Sequence, residues 1–200
     1  MIDYIIYSNS VATKPTFNIK DIPGTSGRLD AIFRSILAVT NSSFYKRIKP
    51  RIIIVLENRE GVSKTIFIEE LLRENRFKDE FTAARIFHEI LRSEKIYSSN
   101  MKYKWLKVCG KTLIELVEYL QANSKIYYMH LDGKPVDTIM FNREMNYAFI
   151  LGDRWGIPSD NEKRLLELGV ERISLGPVEY LTSHCLTLIQ DCLITNLKFE

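Results

Sequence analysis

Short runs of β-branched and aromatic residues alternate along this chain with longer stretches whose apolar positions recur at helical spacing. Tyr4–Tyr7, Arg51–Leu56, Lys64–Ile68, Ile126–His130, Tyr147–Leu151 and Arg172–Leu175 read as strands. A loop rich in Pro, Gly and Ser, Asp21–Gly27, opens a helix near Arg28. There Leu29, Ile32, Phe33, Ile36 and Leu37 form one stripe. Further helices are predicted at Phe81–Leu91, Lys111–Gln121 and roughly Ser159–Leu168, with a last one from about Val178. Asp132–Pro135 reads as a turn. Strands alternating with helices predict an α/β fold: a parallel sheet flanked by helices. With neither linker nor repeat, the 200 residues predict one domain, 1–200.

The last helix carries Leu181, Cys185, Leu188, Ile189 and Cys192 on one stripe, and Leu186 and Leu193 on another face. A helix apolar over most of its circumference needs cover on more than one side. A subunit interface or the interior of a monomer would both supply it.

Composition narrows the classes. Hydrophobic residues are 46% and charged residues 26%, as in ordinary globular proteins. The longest apolar runs, Ile52–Leu56 and Tyr147–Leu151, are five residues long; a bilayer span takes about 20. The start lacks the pattern of a secretory signal, so a cytoplasmic location without membrane attachment is expected. Three cysteines, none in a CxxC pair, argue against a disulfide framework or zinc ribbon. The net charge of +3 permits a nucleic-acid partner without requiring one. Two basic stretches, Lys46–Arg51 and Lys102–Lys107, read either as RNA-contacting surface or as solvated loops.

Nucleotide, P-loop, zincin and hydrolase signatures (GxGxxG, GxxxxGK[ST], HExxH, GxSxG) are absent. His184 and Cys185 are adjacent and would point about 100° apart on a helix, which disfavours a nucleophile pair. Three histidines supply a metal site poorly, and no metal is expected. In open α/β sheets ligands bind beyond the carboxyl ends of strands. That directs attention to the strand ends at His130, Gly152 and Leu175.

Four segments in order, Pro23–Asp30, Tyr128–Gly133, Phe149–Asp153 and Ile173–Pro177 with Ser183–Cys185, resemble the archaeal tRNA pseudouridine-54 N1-methyltransferases, the TrmY family of the SPOUT superfamily. The resemblance runs through essentially the whole chain. It implies an α/β fold with a deep trefoil knot in the C-terminal part, a homodimer, and S-adenosylmethionine bound in the knot. Carried over, Met129, Leu151, Gly152, Leu175, Gly176, Pro177, Tyr180 and Cys185 would hold the cofactor. Adenine needs apolar walls and close backbone approach, which Met129, Leu151, Leu175 and the two glycines suit; the same residues also suit ordinary core and strand-end turns. The implied substrate is the T-loop of tRNA. Arg28 is the candidate RNA contact, with Asp30 either orienting it or pairing with Arg34 four residues on. Asp153 is a candidate base for the N1 proton, or an acid serving the following helix. Arg154-Trp155 departs from the His and aliphatic pair of the family pattern. Rival readings are a ribosomal-RNA pseudouridine N1-methyltransferase and a non-catalytic RNA-binding knot dimer.

Overall fold

A computed structural model describes residues 1–58, 60–69, 77–92, 103 and 105–197. Lys102 and Lys104 of the second basic stretch lie outside the described residues. Seven strands form one sheet in the order β4-β3-β2-β1-β6-β5-β7. At its centre β1 (Ile2–Ser8) pairs in parallel with β2 (Arg51–Glu57) and with β6 (Tyr147–Leu151). Ile52 to Leu56 are fully buried, as an apolar strand covered on both faces must be. On one side β6 pairs in parallel with β5 (Lys125–Pro135), and β5 with the edge strand β7 (Glu171–Ser174).

The other side corrects the expectation of a parallel sheet. β3 (Ser63–Ile68) runs antiparallel to β2, and β4 (Leu106–Cys109), a strand not foreseen, runs antiparallel to β3. The connection between β2 and β3 is too short for a crossover. Asn58 closes it, its Oδ1 accepting the N–H groups of Glu60 and Val62 while its own N–H donates to the Val62 carbonyl.

Strand side chains alternate between two cores. Tyr4, Ile6, Ile54, Tyr127 and Phe149 face α2 (Leu29–Thr40), α4 (Glu80–Arg92) and α7 (Thr182–Leu197). Ile5, Tyr7, Ile53, Tyr128 and Ile150 face α5 (Leu113–Gln121) and α6 (Ser159–Glu167). Two short helices were not anticipated: α1 (Ile22–Thr25), inside the predicted loop and capped by Asp21, and α3 (Ser43–Ile48), capped by Ser42. Thr112 and Glu115 form a capping box that starts α5 two residues after the predicted point. No helix among the described residues is long and apolar enough to cross a membrane.

Two boundaries near the strand ends differ from expectation. Asp132–Pro135 is no simple turn: β5 continues to Pro135, and Ile173 of β7 is paired both to Met129 and to Lys134. The intervening residues bulge outward. Gly133 is required there, because a Cβ would lie 2.4 Å from the Ile173 carbonyl carbon. The last helix begins at Thr182 rather than about Val178. Gly176 takes φ +127°, incompatible with a helix, and Thr182 Oγ1 donates to the Gly152 carbonyl at 2.8 Å, holding residues 175–181 as a loop.

α7 buries Leu186, Ile189, Leu193 and Leu197 against α2 and the sheet, while Leu188 stays 37% exposed. Gln190 is buried, its Oε1 accepting from Ser42 Oγ and its amide donating to Leu186. Ile189→Ala should therefore cost about 2–5 kcal/mol. Thr187→Ala, on the exposed side, should stay within about 0.5 kcal/mol. Urea denaturation midpoints compare the two.

Candidate active site

Parallel strands place the ends of β1, β5, β6 and β7 along one edge of the sheet, and the N-termini of α2 and α7 close over them. The cavity so formed measures about 920 Å³, within the range of small-molecule sites. Its walls include Arg28, Met129, Leu151, Gly152, Asp153, Leu175, Gly176, Tyr180 and Cys185. Nine residues proposed from sequence thus meet in one space. Two do not line it: Asp30 lies behind Arg28, and Pro177 is exposed outside.

Local geometry explains how each wall is held. β6 ends in a tight turn: the Gly156 N–H donates to the Asp153 carbonyl at 2.8 Å, and the Trp155 N–H to Asp153 Oδ1 at 2.8 Å. A Cβ on Gly152 would lie 2.7 Å from the Gly156 carbonyl carbon. Glycine at 152 therefore serves the turn itself, before any ligand is considered. Asp153 Oδ2 accepts hydroxyls from Ser8 at 2.5 Å and Ser10 at 2.7 Å, tying the end of β1 to the turn. Ser8 and Ser10 were missed in the sequence, although Ser8 closes a strand as Gly152 nearly does.

On the opposite wall, Gly27 and Arg28 both take positive φ, 65° and 81°. A Cβ on Gly27 would sit 2.1 Å from the Ser10 carbonyl oxygen, so only glycine lets α2 dock this closely. Ser26 Oγ accepts the N–H of Leu29, the first residue of the helix, while the Ala12 N–H donates to the Ser26 carbonyl. These contacts aim Arg28 into the cavity. Asp30 is 1% exposed and accepts Arg28 Nε at 2.9 Å, Arg28 Nη2 at 3.1 Å and Arg34 Nη2 at 2.6 Å. Asp30 thus contacts both Arg28 and Arg34, and it is buried, which corrects the expectation of a surface pair with Arg34. Burial raises its carboxyl, but hydrogen bonds and charge from Arg28 and Arg34 outweigh this and hold it below the usual range.

Cys185 is half-buried in the wall, its Sγ 3.8 Å from the Tyr180 carbonyl. Burial pushes its thiol up to about 11, so it remains protonated at neutral pH and serves as apolar lining. Gly156 and Gly176 also line the cavity, and a Cβ built on either meets nothing within 4 Å. Bare backbone thus faces open space between apolar walls. That space fits the close backbone approach and apolar walls a purine nucleoside cofactor needs.

Residues 1–197 match a family model described as "Putative SAM-dependent RNA methyltransferase". The chain belongs to this family. It is 31% identical to the tRNA (pseudouridine(54)-N(1))-methyltransferase of Methanococcus vannielii, the match covering 96% of this chain and 98% of the relative. With the enzyme of that name from Thermococcus gammatolerans it shares 32% identity, covering 93% of each. The fold is that of Archaeoglobus fulgidus Nep1, solved with S-adenosylhomocysteine: TM-score 0.61, 13% identity, 98% of both chains covered. This methyltransferase family uses S-adenosylmethionine and acts on RNA.

The depressed Asp30 carboxyl has a definite pH signature. Its stabilising charge is present above the unfolded value and lost as pH falls below about 4. Wild type and Asp30→Asn should differ most in Tm near neutrality and converge in acid, as differential scanning calorimetry across pH would show. The raised Cys185 thiol should react with iodoacetamide at pH 8 more slowly than a model thiol, read by mass spectrometry of the labelled peptide.

Proposed function

We propose that this chain transfers a methyl group to N1 of pseudouridine 54 in the T-loop of tRNA, the activity named for its Methanococcus and Thermococcus relatives. The observation that carries the reading is the single cavity joining Arg28 and Asp153 to Gly152, Leu175, Gly176 and Cys185. Leu151, Met129 and Leu175 would wall the adenine, and the backbone at Gly152, Gly156, Gly176 and Tyr180 would grip the cofactor. Bound S-adenosylmethionine supplies an activated methyl on its sulfonium.

The chain's own work is then alignment and proton removal. Arg28 spends Nε and Nη2 on Asp30 and keeps Nη1 for an RNA phosphate. Ser10 lies on the cavity with its hydroxyl already directed at Asp153 Oδ2. The N1 proton passes to Ser10 Oγ as the Ser10 hydrogen passes to Asp153, and N1 takes the methyl as that carbon's bond to the sulfonium sulfur breaks, its electron pair staying on the sulfur. Uridine offers no such N1, because its glycosidic bond occupies that atom.

The SPOUT knot and the homodimer belong to this proposal. The segment 136–146 shares a face of the sheet with α7: Phe141 packs edge-on against Tyr127 and Tyr147, and Arg143 Nε donates to the Leu197 carbonyl. α7 thus ends against the connection that a knotted chain would pass beneath. Exposed Val178, Leu181 and Leu188 give the second subunit its apolar contact.

Incubation with labelled S-adenosylmethionine and paired T-loop RNAs, differing only in uridine or pseudouridine at the target, tests the reaction. Label should appear only in the pseudouridine RNA, as N1-methylpseudouridine by nucleoside mass spectrometry. Equal labelling of both, or methylation elsewhere on the ring, would refute it. Arg28→Ala should weaken RNA binding and flatten its salt dependence while leaving cofactor affinity intact. Sedimentation equilibrium should give twice the 23.3 kDa chain mass.

A further inference from the structure

Trp155 is 67% exposed, an unusual position for the largest apolar side chain, and it stands on the wall of the cavity. Its backbone is not loose. The turn is closed by the Asp153–Gly156 hydrogen bond, the Trp155 N–H is held by Asp153 Oδ1, and Asp153 is anchored to Ser8 and Ser10. The Arg154 guanidinium lies over the indole, 4.3 Å from its centroid. Arg154 has no ion-pair partner among the described residues. A rigid turn therefore holds an aromatic ring at the cavity wall, one face covered by a planar cation.

We propose that Trp155, backed by Arg154, is a stacking platform for an unpaired nucleobase of the RNA substrate. This rests on the methyl-transfer reading above and extends it to how the RNA is held. A base lifted from its loop loses its stacking neighbours, and an aromatic face restores part of that energy whatever the base identity. The nearby cations favour RNA over a second protein copy as the occupant. Arg28 on the opposite wall takes phosphate, and Arg154 adds positive charge beside the ring, whereas exposed Leu181, in the loop before α7, and Leu188, on α7, are uncharged.

The chain has two tryptophans, and the other, Trp105, packs away from the cavity against Phe77 and Tyr103. In a Trp105→Phe background Trp155 alone reports. Titrating this protein, saturated with S-adenosylhomocysteine, with a T-loop hairpin should quench its fluorescence. Trp155→Ala should weaken RNA binding by about 5- to 150-fold, with S-adenosylhomocysteine affinity within about twofold. Trp155→Phe, which keeps a ring, should recover most of the loss. Unchanged RNA affinity in Trp155→Ala overturns the platform. So does quenching by S-adenosylhomocysteine but not by RNA, which would assign the ring to the cofactor. A shift of Trp155→Ala to monomer with RNA affinity intact would assign it to a contact between copies. If RNA binding depends on Trp155 but wild type methylates no RNA, the platform stands and the assigned reaction fails.

Discussion

Ile2 to Ile6 lie beside Tyr147 to Leu151 in parallel register, at the centre of a sheet buried on both faces. Because the strands run the same way, both finish on one edge, and the residues just past them, Ser8, Ser10 and Asp153, are brought together across 143 to 145 positions of sequence. The carboxylate accepting both hydroxyls turns that meeting into a fixed joint. Every other part of the site is referred to it: the 152–156 turn through Asp153, the docking of α2 through the Ser10 carbonyl against Gly27, and α7 through Thr182 on Gly152.

Charge is handled in the same economical way. Asp30 is buried, which alone would disfavour its ionised form, yet two arginines surround it and keep it charged. The result is an arginine whose direction is set by the fold itself, so little of its side-chain freedom is left to lose to a ligand. Asp3 and Arg51 form a comparable bidentate pair between the centre strands, but there burial dominates and raises the Asp3 carboxyl even against Arg51. Asp3 lies deeper, has the neighbouring Glu69 carboxylate against it, and has one guanidinium where Asp30 has two.

Much of the cavity lining was legible because strand ends in α/β sheets are marked by glycine and by a break in the apolar run. Gly152 and Gly176 follow such runs directly, and Met129 and Leu175 precede or end them. Ser8 and Ser10 carried no mark, since a serine after a strand is as common in loops with no function. Asp30 looked like half of an exposed helical pair, because spacing shows neighbours along a helix and is silent on what covers them. The β3 reversal was hidden for a similar reason: an apolar run predicts a strand but not its direction, which the short Asn58–Val62 connection decides.

The sequence by itself determined the α/β class, the order of the main elements, the two-sided burial of the central strands and the family to which the motifs belong. The first three follow from local rules, namely periodicity, β-branching and the glycines and prolines that punctuate the elements; the family follows from the resemblance of four ordered segments. Tertiary structure alone decided that Asp153 faces two serines from the far end of the chain, that Asp30 is enclosed by Arg28 and Arg34, and that Gly27 and Gly152 are required by backbone close approach. It also decided that a tryptophan stands exposed at the cavity wall with a guanidinium on its face. Such features depend on distances between segments remote in sequence. Only the register and packing of the folded sheet set those distances.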